Sequence, residues 1–295
     1  MKICRFNDDR IGVVEGDSVI DVTSVLDNEP AIRPWPLPMS DWLIENLDRL
    51  RPAFESAAAT GPRLQLADVK LLSPVANPSK IIGAPVNYDS HHAEANADKA
   101  LNFGTAVKTV ADYGLFLKAN SSLVGPSEGI ELAMPERRHD HEGELVVVIG
   151  KPCRAVSEAD ALDYVAGYCI GLDMTARGPE ERSLRKSMDT YSVLGPWLVT
   201  ADEIADPDNL DLKTMVGNEL RQNSNTKMLI FSVRRLISYA SDFYTLLPGD
   251  VIMTGTPSGV GPVLPGNVVK VDIEGLGTLE STAYAFAGAS APQAS

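Results

Sequence analysis

Glu142 and Glu144 stand two positions apart at the head of the aliphatic run Leu145-Val146-Val147-Val148-Ile149. Side chains alternate along a strand, so the two carboxylates fall on one face. Crowded carboxylates repel each other, and a divalent cation relieves that repulsion. An all-oxygen set points to Mg²⁺, Mn²⁺ or Ca²⁺ rather than zinc. The alternative is a solvated edge with both glutamates in water. Asp173 closes a second apolar run, residues 165–172, and offers a third ligand. A carboxylate at the end of a buried strand needs a partner. Otherwise Asp173 caps a turn and pairs with Arg177. His91 and Glu94 are three positions apart, which brings them together on a helix. There the carboxylate orients the imidazole and raises its basicity, giving a general base for water. The plainer reading is an exposed helical pair, and the adjacent His92 faces elsewhere.

Two lysines and a loop add to this set. Lys118 ends the run Leu115-Phe116-Leu117, and Lys186 lies in Arg185-Lys186-Ser187-Met188-Asp189-Thr190. A lysine in such a place either serves a site or snorkels to solvent. The run Thr254-Gly255-Thr256-Pro257-Ser258-Gly259-Val260-Gly261 lacks the ending of a P-loop and the spacing of a dinucleotide fingerprint. Its backbone N–H groups and Thr256 can still bind a carboxylate. The alternative is a tight connection between strands.

These residues need elements to hold them. Residues 1–27 read as a three-strand meander, and Pro30, Pro34, Pro36 and Pro38 then interrupt regular structure. Ser40-Asp41 caps a helix from Trp42 to about Arg51, and Pro52 starts another turn to about Ala59. Residues 87–112 read as a helix and a mobile loop, and 113–118 as strand. Ser157 caps a helix running to about Val165. Strands are expected at 80–84, 144–150, 168–173, 194–200, 212–216, 250–254 and 268–273, and a helix at 231–244. The fold class is α+β and β-rich. A small N-terminal α+β subdomain covers 1–70, a catalytic domain 71–285 and a flexible tail 286–295.

The 295 residues include 40 Asp and Glu against 26 Lys and Arg, a formal charge of −14. That balance excludes a nucleic-acid binder and a surface for anionic lipid. No apolar run approaches the ~20 residues of a membrane span. The N-terminal residues are charged too early for a signal core, so a cytoplasmic location is expected. Cys4, Cys153 and Cys169 are too few and too scattered for a disulfide framework or zinc motif and read as plain thiols.

Read jointly, the motifs resemble the fumarylacetoacetate hydrolase family over residues 70–280. The resemblance rests on the ordered segments Asn87-Tyr88 through His91 and Glu94, Phe116-Leu117-Lys118, Asp140-His141-Glu142-Gly143-Glu144-Leu145, Gly171-Leu172-Asp173-Met174-Thr175-Ala176-Arg177, Lys186-Ser187-Met188-Asp189-Thr190, Leu194-Gly195-Pro196-Trp197 and Pro248-Gly249-Asp250-Val251-Ile252 with the Gly-rich run that follows. It implies a rolled mixed sheet and usually a homodimer. By motif position it implies Glu142, Glu144 and Asp173 as ligands of Mg²⁺ or Mn²⁺, with Ca²⁺ as a further option. His91 and Glu94 would be the water-activating dyad on a lid, and Lys186 would lie beside metal and substrate. Lys118, Arg177, Gln222 and Thr256 would bind substrate. The chain departs from the common pattern at Leu172, at Gly178-Pro179, at Asn120 and in a long lid, places expected near the substrate pocket.

The implied substrate is a small 2-oxo or 2,4-dioxo acid. The leading expectation is metal-dependent hydrolysis of the C–C bond of a 2,4-dioxo acid, either acylpyruvate-type or a diketo-deoxy sugar acid, releasing pyruvate or a related 2-oxo acid. The alternative keeps the site for an oxaloacetate-type decarboxylase, or a hydratase or isomerase of a 2-oxo acid. A dead scaffold would have lost a ligand or dyad residue, and all five are present.

Overall fold

The structure is a computed structural model that describes residues 1–29 and 40–286. The prolines 30, 34, 36 and 38 and nearly all of the expected tail, residues 287–295, lie outside the described residues. The largest sheet is 12-stranded. Its order runs Arg63–Gln65, Ser18–Asp21, Arg10–Glu15, Lys2–Phe6, Ser192–Thr200, Val165–Asp173, Gly143–Ile149, Val251–Met253, Ile81–Gly83 and Phe116–Lys118. Two short strands, Leu71–Leu72 and Leu123–Val124, pair beside this path. The meander of the first 21 residues joins the sheet through Lys2 opposite Val199, so hydrogen bonding is continuous from the N-terminal strands to the site-bearing ones.

The strand Gly143–Ile149 is aliphatic because both its faces are covered. Val146 and Val148 pack with Leu43, Leu47, Leu50 and Phe54 on one side. Leu145, Val147 and Ile149 pack on the other with Leu212, Val269, Val271 and Leu279. Those four belong to a 5-stranded sheet of Glu219–Asn225, Asp211–Val216, Val268–Ile273, Gly277–Ala285 and Ile130–Leu132. The helix Val233–Phe243 buries Val233, Leu236, Ile237 and Ala240 in the same layer. The result is a β-rich α+β fold, as the strand pattern predicts.

Several expected elements differ. The first helix breaks at Asn46, giving Trp42–Glu45 and Leu47–Ala58, and Pro52 lies inside the second. Pro52 is the sixth residue of that helix, so it removes one intrahelical hydrogen bond without ending the element, and it need not start a new one. The helix expected after Ser157 is only a 3₁₀ turn, Ala161–Tyr164, and the strand begins at Val165. Tyr113 ends a short helix, Val110–Tyr113, rather than opening a strand. The loop expected before it carries this helix and another, Lys99–Asn102. The strands Ile130–Leu132, His139–His141, Glu219–Asn225 and Gly277–Ala285 were not expected. The three cysteines are free and buried, and burial pushes the thiol of Cys4 up to about 12 and that of Cys153 to about 11.

Among the described residues, no helix is long and apolar enough to cross a membrane.

Candidate active site

A 3-stranded sheet of Thr175–Ala176, His139–His141 and Gly261–Pro262 abuts the large sheet where Glu142 and Asp173 lie. Glu142 sits in the break between His139–His141 and Gly143–Ile149. Asp173 ends the neighbouring strand and donates its backbone N–H to the Glu142 carbonyl at 2.9 Å. Gly143 faces Leu172 and Glu144 faces Gly171 across the ladder. Register alone therefore brings the three carboxylates together.

One ligand oxygen each from Glu142, Glu144 and Asp173 lies within 4.8 Å of the others, and all three side chains are buried. Their surroundings differ. Lys186 Nζ donates to Glu142 Oε2 at 2.7 Å, Asp173 Oδ2 at 2.8 Å and Thr175 Oγ1 at 2.7 Å. Arg177 Nη2 reaches Glu142 Oε1 at 3.2 Å, and Thr175 Oγ1 donates to the same oxygen at 3.0 Å. Burial alone would raise the Glu142 carboxyl, but Lys186 and Arg177 overcome it and hold the group well below the usual range. Glu144 accepts the Gly255 N–H at 2.7 Å and, among the described residues, has no cation within ion-pair distance. Burial, then the charges of Asp173 and Glu142, push its carboxyl well up. Converging hard oxygens with one repelled, cation-free carboxylate suit a divalent cation, so the donor set fits the expected metal.

Lys118 does not snorkel. Its ammonium is buried and donates to Asp173 Oδ1 at 2.5 Å and to the Tyr191 carbonyl at 2.6 Å. Burial lowers its pKa against the pull of Asp173. Lys118 stands behind the triad and orients Asp173 rather than lining the cavity. Arg177 pairs with Asp140 at 2.8 Å and with Glu142, and not with Asp173 as the turn-capping alternative supposed.

His91 and Glu94 lie on the helix Asp89–Ala97, with Nδ1 3.1 Å from Oε2. The other carboxylate oxygen accepts the Gly259 N–H at 2.8 Å. The Gly-rich run thus docks the dyad with one N–H and Glu144 with another. With Nδ1–H directed at Glu94, the lone pair of His91 lies on Nε2. Thr256 also lines the cavity, and its hydroxyl donates to the Gly143 carbonyl at 2.9 Å. Gln222 is buried behind it, donating to Thr256 Oγ1 at 2.7 Å and the Pro257 carbonyl at 2.9 Å. Its own oxygen accepts the Gly143 N–H at 3.0 Å. Gln222 therefore braces the loop and does not face the cavity, against the expectation of a substrate contact.

The cavity has a volume of about 410 Å³ and is lined by His91, the three carboxylates, Arg177, Lys186 and Thr256 together with lid residues. Of the departures from the family pattern, Gly178-Pro179 and the lid do line it. Leu172 is buried in the core, and Asn120 donates to the Pro78 carbonyl away from the cavity. Sequence reasoning missed Thr175, Asp140 and Arg185. Thr175 carried a signal, since it stands two positions beyond Asp173 in an extended segment.

A family model for the fumarylacetoacetate hydrolase C-terminal region matches residues 80–283, and an Rv2993c-like N-terminal model matches residues 1–74. The chain is 56% identical over 281 residues to a maleylpyruvate hydrolase of Aquipseudomonas alcaligenes, covering 95% of this chain and 98% of that protein. It is 36% identical over 287 residues to the mitochondrial oxaloacetate tautomerase fahd2 of Xenopus laevis, covering 92% and 85%. The crystal structure of maleylpyruvate hydrolase from Sphingobium sp. SYK-6, in complex with manganese(II) ion and pyruvate, superposes with a TM-score of 0.82 at 40% identity. That match covers 97% of this chain and 99% of the other. With the sheet, the carboxylates and the near full-length matches in agreement, this chain belongs to the fumarylacetoacetate hydrolase family.

Proposed function

We propose that this protein is a divalent-metal-dependent hydrolase that cleaves the C–C bond of an acylpyruvate, a 2,4-dioxo acid, and releases pyruvate. The observation that carries the reading is that His91, held by Glu94 at 3.1 Å, lines the same cavity as the carboxylate triad. The 56% identical relative is a maleylpyruvate hydrolase, and the Sphingobium homologue is described with manganese(II) and pyruvate.

Glu142, Glu144 and Asp173 would hold Mg²⁺ or Mn²⁺, which supplies Lewis acidity toward the 2-oxo end of the substrate. His91 takes a proton from water through Nε2, and Glu94 holds the ring and stabilises the imidazolium. The hydroxide adds to the C4 carbonyl. The C3–C4 bond then breaks, its electron pair stays with the pyruvate fragment, and the proton on His91 returns to C3. Lys186 places positive charge beside the reacting oxygens. Arg177 holds Glu142 in place, and Thr256 marks the wall for the substrate's 1-carboxylate. Tautomerisation of oxaloacetate, the activity named for the Xenopus relative, needs no attacking water and gives the dyad less to do.

The test is a spectrophotometric assay of an acylpyruvate with EDTA-treated protein, with and without Mn²⁺. Metal-dependent loss of the diketo absorbance with two acid products is expected. His91→Ala should lose about 10²–10⁴-fold in kcat while still binding Mn²⁺. Turnover of oxaloacetate alone, or full hydrolysis by His91→Ala, overturns the reading.

The same reading includes a homodimer, a cytoplasmic location and the division at about residue 70, with the catalytic unit ending near 285. A monomer in dilute light scattering would overturn the first.

A further inference from the structure

The cavity holds a cation that the reaction above does not use. The short helix Arg182–Arg185 forms part of its wall, and Arg182 and Arg185, three positions apart, share a face. Neighbouring cations are engaged. Lys186 directs its three protons to Glu142, Asp173 and Thr175. Arg177 pairs with Asp140 and Glu142. Arg182 lies over the Tyr113 ring at 4.7 Å and the Phe116 ring at 5.7 Å.

Arg182 and Arg185 both lack a carboxylate partner among the described residues, but Arg185 has no aromatic face either. Its Nε donates to the Glu180 carbonyl at 2.8 Å and its Nη1 to the Ala176 carbonyl at 3.5 Å. These bonds fix the plane of the guanidinium without neutralising it. Among the described residues it makes no ion pair and its Nη2 meets no acceptor. Glu180, which also lines the cavity, is held by Arg137 at 2.7 and 2.5 Å. Burial, and after it the charges of Arg177 and Arg182, make the cation of Arg185 costly and lower its pKa. A fixed, half-buried guanidinium in a ligand cavity is complementary to a planar anion. Leu101, Phe103 and Val107 line the same cavity and supply apolar surface for hydrocarbon.

We propose that Arg185 is the specificity-determining residue for the acyl arm: it receives a second carboxylate at the far end of the substrate. The preferred acylpyruvate is therefore a dicarboxylate. This inference rests on the acylpyruvate reading above. A neutral arm would cover Arg185 without giving it a partner, and that loss sets the discrimination.

The test compares maleylpyruvate, with a charged arm, and acetylpyruvate, with a neutral one, on the Mn²⁺-loaded protein. The wild type should favour the charged substrate by about 100-fold in kcat/KM. Arg185→Gln should lower kcat/KM for maleylpyruvate about 50-fold, mainly through KM, and that for acetylpyruvate less than about 3-fold. Arg185→Lys should fall between, because a point charge replaces a fork. If Arg185→Gln does not fold, the wild-type preference and Arg185→Lys still decide. No wild-type preference, or equal losses on both substrates, overturns the role of Arg185 and leaves the hydrolase reading intact. A wild type that cleaves neither substrate overturns the hydrolase reading, and this inference with it.

Discussion

Lys118 carries a charge into a place sealed from solvent, and the cost of doing so is met by Asp173 and the Tyr191 carbonyl. Breaking such a pair strands the other charge. Lys118→Met should therefore destabilise the metal-free protein by about 3 kcal/mol, read from the denaturant midpoint. An unchanged midpoint would mean that Asp173 does not depend on it. His141 shows the opposite case: a buried imidazole whose two nitrogens meet no hydrogen-bond partner among the described residues. Burial, opposed by Asp140, lowers its pKa from 6.5 to about 4. The unfolded chain binds this proton below pH 6.5, while the fold resists it until about 4. The stability associated with the neutral ring is complete above that window and is lost as pH falls through it, about 3 kcal/mol in all. His141→Phe should flatten the acid limb of the melting temperature between pH 6.5 and 4 relative to wild type. Parallel curves would assign the acid sensitivity to other groups.

At the scale of elements, the Gly-rich run is the part on which the site depends most. It supplies the Gly255 N–H to Glu144 and the Gly259 N–H to Glu94, and it carries Thr256. Gly259 has φ +99°, and an added Cβ would lie 1.9 Å from the Arg221 carbonyl oxygen. Gly259→Ala must displace the loop, so both stability and the position of Glu94 suffer. The expected outcome is a loss of about 1–3 kcal/mol in unfolding free energy and at least about 10-fold in kcat. Wild-type kcat in this variant would show that the Glu94 contact is dispensable. The helix Asp89–Ala97 is a weaker element by itself. It has little apolar periodicity, and its place is set by His91, Ala95 and the contact of Glu94 with the loop.

For the whole molecule, two sheets meet at the carboxylate cluster and the third braces its strand and loop through Gln222, so occupancy of that cluster should be felt throughout the fold. Mn²⁺ at about 100 times its Kd should raise unfolding free energy by about 2.7 kcal/mol, seen as a higher melting temperature. Glu144 must lose its proton to bind the ion, and its pKa is raised. Affinity should therefore weaken as pH falls through that raised pKa. A calorimetric titration with pH-independent affinity would remove Glu144 from the ligand set.

Residue types and their spacing were enough to mark the residues that could do chemistry and the strands that present them. Alternation put Glu142 and Glu144 on one face, and aliphatic runs marked the strands buried on both sides. Those are local properties, written in neighbouring residues. They could not tell residues that touch the cavity from those one layer behind it. Lys118 and Gln222 look like site residues in the chain, yet they turn out to brace Asp173 and Thr256 from behind. Arg185 looks like an ordinary surface charge, yet it lines the cavity with no anionic partner among the described residues. Those distinctions depend on which strands pair and how sheets stack, contacts between residues far apart in the chain. They exist only once the chain is folded.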